Sequence, residues 1–371
     1  MKQKIELVRV SIIIALVIVL PVLSGLSGAS MAASSYSNDR LLIVKSADAP
    51  AYQAVERSFR SELIRHTEEL ISIKSLSLDD DRKLDTFLSR IDKSDYDSII
   101  TIGTRAAHEV LRVLPEVPVL SVFIPRQSYH LILDEVLHDK KAHLRSAIYL
   151  DQPDERLVML AKAVSAPGAK VSLYGDHGGS ILKTRQCSGG VASRETSGTI
   201  LETAPDLAAN LMTGVTVHQE MLSSRDLKHV LKRSDIIIAT PQLVKKSPNA
   251  IKWMLYMAYQ RNVPVIGYSR AFVDAGAIAA VYSIPEDIGR HTAEVFFKQR
   301  QPGSRKLSSI VYPKYFDVLI NQNVANTLGF RRLNEKELYK MLIKSALNCK
   351  DNYIPAPSNK IKQQVTRTYT K

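Results

Sequence analysis

Residues 263–298 restrict the possible folds of this chain more than any other stretch. They read VPVIGYSRAFVDAGAIAAVYSIPEDIGRHTAEVFFK. Val263–Gly267 is a short β-branched run that ends in Gly, the pattern of a buried parallel strand. Tyr268-Ser269-Arg270 follows as a loop. Ala271–Ala275 can form one helical turn, and Gly276 stops it, because Gly takes a left-handed end without steric penalty. Ile278–Tyr282 reads as a second strand. Ser283-Ile284-Pro285-Glu286 has the form of a capping box with Pro in the first turn. The helix it opens carries Ile288, Thr292, Val295 and Phe296 on one face. Strand, loop, strand and capped helix in that order predict an α/β protein.

The rest of the chain follows the same grammar. Arg40–Lys45 is a strand, and the helix after it runs to about Glu69. Ile71–Leu78 is a strand, Asp79–Lys93 a charged helix, Ser98–Ile102 a strand, Arg105–Leu114 a helix and Pro118–Phe123 a strand. Successive strand–helix units predict a parallel, right-handed, doubly wound sheet. A second series follows: helix Pro153–Val164, strand Lys170–Tyr174, strand Thr216–Glu220, helix Ser224–Lys232, strand Asp235–Ala239 and a helix capped by Ser247. Residues 175–198 read as loop with one short helix around Ile181–Arg185. The chain has 371 residues, more than one core usually serves. The expectation is therefore two doubly wound, parallel-sheet lobes of the α/β class, 38–146 plus 269–307 and 147–268 plus 308–348. The chain would pass between them three times, at Ala147–Leu150, at Val265–Ser269, and near Ile310–Tyr312 or Asp317–Ile320. Asn334 with Glu337 opens a last helix. Residues 349–371 lack periodicity and read as a disordered basic tail.

Several short motifs in this order resemble a known family. They are Pro264-Val265, Asp274-Ala275-Gly276-Ala277, Ala280-Val281-Tyr282-Ser283 and Glu286-Asp287-Ile288-Gly289-Arg290. Downstream come Tyr312-Pro313-Lys314-Tyr315-Phe316-Asp317-Val318 and the run Asn321–Gly329. Together they resemble the solute-binding proteins of ABC importers, of the periplasmic-binding-protein type I class. The branch is the one that includes aromatic-amino-acid-binding-like proteins, and the resemblance spans about residues 38 to 330. It implies two lobes with a hinge of three strands, a small ligand held between them, and an inner-membrane ABC permease as partner.

Charge and cysteines add bounds. The net charge is +13, but the basic residues read as scattered, with no basic helix or aromatic platform, which argues against nucleic acid. Lys2, Lys4 and Arg9 precede an apolar run, Val10–Leu23, and then small residues with Ala29, Ala32 and Ala33 as cleavage candidates. This is the layout of a secretory signal over residues 1–33, and it predicts a periplasmic protein; a monomer is expected. Val10–Leu23 is short for a membrane span. Cys187 and Cys349 are the two cysteines; an oxidising compartment permits a disulfide between them. No metal site and no cofactor are expected.

Ligands of open α/β sheets sit outside the carboxyl ends of the strands, where helix N-termini offer N–H groups and positive dipole ends. The strand ends therefore nominate the candidates. In the first lobe they are Ser46, Asp48, Gly103, Thr104, Arg105 and Phe123. In the second they are Gly175 and Thr240, and Tyr268, Ser269 and Arg270 lie at the expected crossover. The resemblance implies that Thr104 and the amides after it hold the ligand, since Ile102-Gly103-Thr104-Arg105-Ala106-Ala107 matches the family's turn. Thr104 serves equally well as a helix cap. Arg105 can meet an anion or stay solvated, Phe123 can stack on a flat ligand or close the core, and Asp48 can hold a ligand amine. Trp253 reads as a packing residue. Two departures from the family pattern, Thr240-Pro241-Gln242 and Ile124-Pro125-Arg126, fit a changed pocket or a lost one. No dinucleotide fingerprint, P-loop, nucleophile elbow or zincin motif is present, and the nine His residues are dispersed, so catalysis is not expected. The expected function is a periplasmic receptor for a small organic ligand, with a carboxylate as the group the strand ends suit. The alternative is the same fold used as an envelope interaction or sensor-partner module.

Overall fold

The computed structural model describes residues 39–66, 71–79, 95–113, 116–136, 144–174, 215–218, 224–240, 248–300, 310–330, 333–348 and 356–357. By contact density the chain divides into Met1–Asp39 with Glu69–Ile71, and Arg40–Glu68 with Ser72–Lys371. Every element below belongs to the second unit. The expected signal segment, the helix over 80–93, Gly175, both cysteines and most of the tail lie outside the described residues. Among those described, no helix is long and apolar enough to cross a membrane.

Two sheets form. The first has six strands: β1 (Arg40–Lys45), β2 (Ser72–Ser77), β3 (Ser98–Ile102), β4 (Val119–Ile124), β5 (Arg145–Tyr149) and β11 (Ile310–Val311), in the order β11-β5-β4-β3-β1-β2. Every neighbouring pair in it is parallel. The second has seven: β6 (Val171–Tyr174), β7 (Val215–His218), β8 (Ile236–Ala239), β9 (Val265–Gly267), β10 (Ala279–Tyr282), β12 (Tyr315–Ile320) and β13 (Ala356–Pro357), in the order β13-β12-β10-β9-β8-β6-β7. Only β10 and β12 run antiparallel. Runs such as Leu41–Val44 and Ile236–Ala239 are wholly buried, as strands covered by helices on both faces must be.

Helices α1 (Pro50–His66), α2 (Thr104–Arg112) and α3 (Arg126–Val136) belong with the first sheet. On the second sheet, α4 (Asp154–Val164), α9 (Gln322–Thr327) and α10 (Glu335–Asn348) share one core. A separate core holds α5 (Ser224–Arg233), α6 (Pro248–Tyr259) and α7 (Arg270–Asp274). The remaining helix, α8 (Pro285–Arg300), returns to the first sheet and packs on α1, with Phe59 and Phe296 edge to face at 5.7 Å.

The chain therefore passes between the sheets three times, as expected; the third passage falls at the expected Ile310–Tyr312 end, the first lies slightly later than expected, and the second lies elsewhere. Ala147–Tyr149 lies wholly in β5, so the first passage is Leu150–Pro153. Val265–Ser269 is no passage: β9 and β10 are neighbours in the second sheet, and the chain stays there through Tyr282. The second passage is Ser283-Ile284, and the third is Tyr312-Pro313-Lys314, between β11 and β12. Strand pattern alone does not say which sheet a strand joins; pairing decides it. Ser283 also departs from the capping reading, since its hydroxyl donates to the Tyr315 carbonyl at 2.5 Å. The last helix is capped as read, with Asn334 Oδ1 accepting from the Lys336 and Glu337 N–H groups.

The α1–α8 contact is set by Gly289. A Cβ there would lie 2.3 Å from the Val55 carbonyl oxygen and 3.0 Å from the Phe59 nitrogen. Backbone cannot yield as a side chain can. Gly→Ala inside a helix ordinarily gains about 1 kcal/mol, but here overpacking reverses the sign. Gly289→Ala should lower stability by about 1–3 kcal/mol in urea unfolding, and a gain would show that the two helices do not touch at this point.

Candidate functional site

The carboxyl ends of β1, β3, β4, β5 and β11 stand side by side, because those strands are neighbours. Ser46 follows β1, Gly103-Thr104 follows β3, Phe123 is the last residue but one of β4, Asp151 follows β5 and Tyr312 follows β11. This row is the rim from which the first lobe can meet a ligand.

Much of the row is already engaged. Ser46 is buried; its N–H donates to the Ile102 carbonyl at 2.9 Å, and its Oγ accepts from the Ala106 N–H at 2.9 Å. It thus caps α2 from a loop 60 residues away. Gly103 takes φ +93, and a Cβ there would meet Ser46 Oγ at 2.6 Å and Tyr52 Cε1 at 2.8 Å. Only Gly satisfies both limits. Gly103 is the residue preceding α2, without a side chain to cap it. Thr104 and Arg105 stand exposed at the helix N-terminus. Asp48 accepts from Gln53 Nε2 at 3.0 Å and Lys45 Nζ at 3.2 Å, and those partners hold its carboxyl below the usual range. Its N–H donates to Asp79 Oδ2.

Phe123 has φ +56, a left-handed backbone that a non-Gly residue rarely adopts. The register between β4 and β5 shifts at the same point. The bulge turns the half-buried ring toward Tyr52, edge to face at 5.8 Å. Such a conformation costs about 1–2 kcal/mol and clusters at functional sites.

Beyond Phe123 the rim becomes polar and aromatic. The Arg126 N–H donates to Asp151, its guanidinium donates to Tyr312 Oη at 2.7 Å and lies 3.9 Å from Asp154 Oδ2. Tyr312 meets Tyr149 at 5.3 Å, and Tyr149 Oη is 2.9 Å from His130 Nε2. Burial pushes the Asp151 carboxyl up to about 6 despite Arg126. Burial likewise raises Asp154 and Glu155. Tyr268, at the end of β9 in the second sheet, is half-buried; its hydroxyl is raised by burial and then by the Asp151 charge. Asp151 and Tyr268 are thus close enough to feel each other across the two sheets.

Of the other predicted residues, Thr240 is buried, and both its N–H and its Oγ1 donate to the Tyr174 carbonyl at 3.3 Å. Ser269 precedes α7 without a side-chain cap. Arg270 is exposed and lies 3.8 Å from Asp274. The structure brings together Ser46, Gly103, Thr104, Arg105 and Phe123; it leaves Thr240 and Arg270 in separate local contacts. Among the described residues no cluster fit to hold a metal ion occurs. Sequence reasoning missed Asp151, Asp154 and Glu155. Their signal was an acid-rich turn, Asp151-Gln152-Pro153-Asp154-Glu155, directly after a strand.

The three passages are tied to one another. Gln152 Nε2 donates to Ser283 Oγ at 2.9 Å, and Ser283 donates on to the Tyr315 carbonyl. Arg156 donates to Gln152 Oε1 and to the Pro313 carbonyl at 3.4 Å, and its guanidinium lies 4.1 Å over the Phe316 ring. A second clasp joins α8 to the third passage: Lys314 Nζ and Tyr315 Oη bond Glu294, and the Lys314 N–H donates to His291 Nδ1 at 3.3 Å. Burial pushes His291 down to about 4, so it is neutral and accepts that bond.

No protein-family model matches the chain, and no curated protein matches it in sequence. Solved structures do. A substrate-binding protein with adhesive properties from Clostridium difficile, ligand-free and open, superposes with a TM-score of 0.55 at 15% identity, over 80% of this chain and 97% of that one. A conserved domain protein from Vibrio cholerae gives 0.47 at 17% identity, over 82% and 98%. An ABC domain from Streptococcus pneumonia in complex with L-Trp gives 0.46 at 14% identity, over 79% and 95%. The first of these carries the fold assignment: the chain has the two-lobed α/β fold of type I periplasmic binding proteins.

Two outcomes follow. Gln152→Ala removes a buried link shared by Arg156 and Ser283, and urea unfolding should show a loss of about 1–3 kcal/mol. The second concerns Asp151. A carboxyl raised from 3.8 to about 6 on folding binds more protons folded than unfolded, so it takes stability away as pH rises through that window. Asp151→Asn should therefore match the parent near pH 4 and exceed it by about 1–3 kcal/mol at pH 7. A difference that does not change with pH would contradict the burial of this charge.

Proposed function

We propose that the protein is an extracytoplasmic solute receptor that captures a small organic ligand between its lobes and delivers it to an inner-membrane ABC permease. The lobes, by strand membership, are 40–150 with 285–311, and 151–284 with 312–348 and 356–357. The signal-like first 33 residues support the compartment, and the fold supports binding rather than catalysis. The observation that carries the reading is the row Gly103, Thr104, Phe123, Arg126, Asp151 and Tyr312 on one rim, with Tyr268 of the other sheet near Asp151.

The row suits a zwitterion such as an amino acid. The exposed N-terminus of α2 favours an anionic group through its N–H groups and dipole. The raised carboxyls of Asp151, Asp154 and Glu155 favour a cationic one, beside the rings of Tyr312 and Tyr149. Phe123 would stack on the body of the ligand, its strained backbone holding the ring at the rim.

Thermal-shift measurements against amino acids and other small metabolites test the proposal. A cognate ligand at about 100 times its Kd adds about 2.7 kcal/mol of stability. Phe123→Gly separates ring from backbone: it relieves the left-handed strain, so the melting temperature should hold or rise, while the ligand response should fall at least tenfold. No response to any ligand class would count against the receptor reading.

One observation favours the second reading, an envelope interaction or sensor-partner module. Ser46, Asp48 and Thr240, three groups expected to greet a ligand, bond within the protein instead. That reading expects a membrane partner that stays bound after Thr104→Ala and Phe123→Gly.

A further inference from the structure

Leu227, Val230 and Leu231 of α5 share one apolar cluster with Met254, Leu255, Met257 and Ala258 of α6, over β8 and β9. The two helices therefore lie side by side on one face of the second sheet, and their other sides form a common outer surface. On α5 that surface shows Lys228, His229, Lys232 and Arg233, all exposed. On α6 it shows Trp253, Tyr256 and Tyr259, exposed to 46%, 55% and 46%. Trp253 and Tyr256 stack on each other with centroids 6.0 Å apart. Residues 224–262 hold eight Lys and Arg against two Asp, in a chain whose whole net charge is +13. Acidic residues are sparse in this stretch, so its local charge is strongly positive, and Trp253 is exposed rather than a core residue.

Three large aromatics on one exposed helix face mark an interaction surface. Their chemistry narrows the partner. Trp and Tyr combine an apolar body with a polar tip and favour the boundary between water and hydrocarbon. A bordering row of cations is drawn to phosphate headgroups. Lys228, Lys232 and Arg233 make that border cationic, the complement of a surface of closely spaced phosphates. We propose that the α5–α6 face docks on an anionic phospholipid bilayer, with the α6 aromatics seated among the headgroups and the α5 cations over the phosphates. The surface lies along a sheet face, away from the strand ends, so it does not depend on the ligand reading.

Trp253 is the single Trp of the chain, so its emission reports from the face itself and not from the apolar segment 10–23. The full chain is mixed with vesicles of phosphatidylcholine, with and without phosphatidylglycerol. The expected result is a blue shift with phosphatidylglycerol present, quenching by brominated acyl chains, and reversal by about 0.5 M salt. Lys228→Gln with Lys232→Gln should weaken partitioning roughly 30-fold, since each lost cation is worth about fivefold near an anionic surface. Both side chains are exposed, so the fold is spared. No shift on anionic vesicles overturns the proposal, and so does an equal shift on phosphatidylcholine alone that the double variant leaves unchanged. A shift that follows protein concentration instead of lipid overturns it in favour of contact between copies.

Discussion

The structure depends on the hydrogen bonds that lace the three passages together. Gln152, Ser283 and the Tyr315 carbonyl come from three segments far apart in sequence, and Arg156 adds Gln152 and the Pro313 carbonyl to the same network. Each group is buried, so each must find a partner or bear a desolvation cost of about 1–3 kcal/mol. Their mutual satisfaction holds the three passages side by side where strand pairing brings the chain across. It also gathers the passages into one bundle, the place where a hinge would lie in the receptor function proposed above.

The rim of the first lobe is organised by a different constraint. Adjacent strands put their exit loops next to one another, so residues distant in sequence become neighbours in a fixed order. Ser46 serves a helix that starts near Thr104, and Arg126 serves Asp151, because β1 lies beside β3 and β4 beside β5. The left-handed Phe123 interrupts this regular edge. Burial keeps the nearby carboxyls reluctant to ionise, which leaves them responsive to a cation placed against them.

The alternation of strands and helices was legible because each signal is local. β-branched runs, a Gly after a strand and an Asn two or three residues before the N–H groups it caps all act within one turn. Four strand–helix units in a row imply parallel pairing, and the two wound sheets follow. The second passage is not legible because the sheet a strand joins is decided by pairing partners, and nothing in Val265–Gly267 itself records that β8 and β10 flank it. Ser283 looked like a cap for the same reason: its actual partner lies 32 residues on. Ser46 and Asp48 lie at the strand end as the sequence predicts, yet Ser46 turns inward to cap α2 and Asp48 bonds Lys45 and Gln53 at the surface, which spacing cannot reveal. Trp253 was read as packing, and only the burial of its neighbours Met254 and Leu255 shows which side of the helix it occupies.

The proposed receptor function requires one lobe to move against the other about the laced passages, and an interlobe distance tests it most directly. Spin labels at exposed Val113 on the first lobe and exposed Gln260 on the second, with Cys187 and Cys349 replaced by Ser, report that distance by pulsed electron resonance. The account predicts a broad distribution that narrows and shortens when a stabilising ligand is added. A single distribution that the ligand leaves unchanged would contradict it.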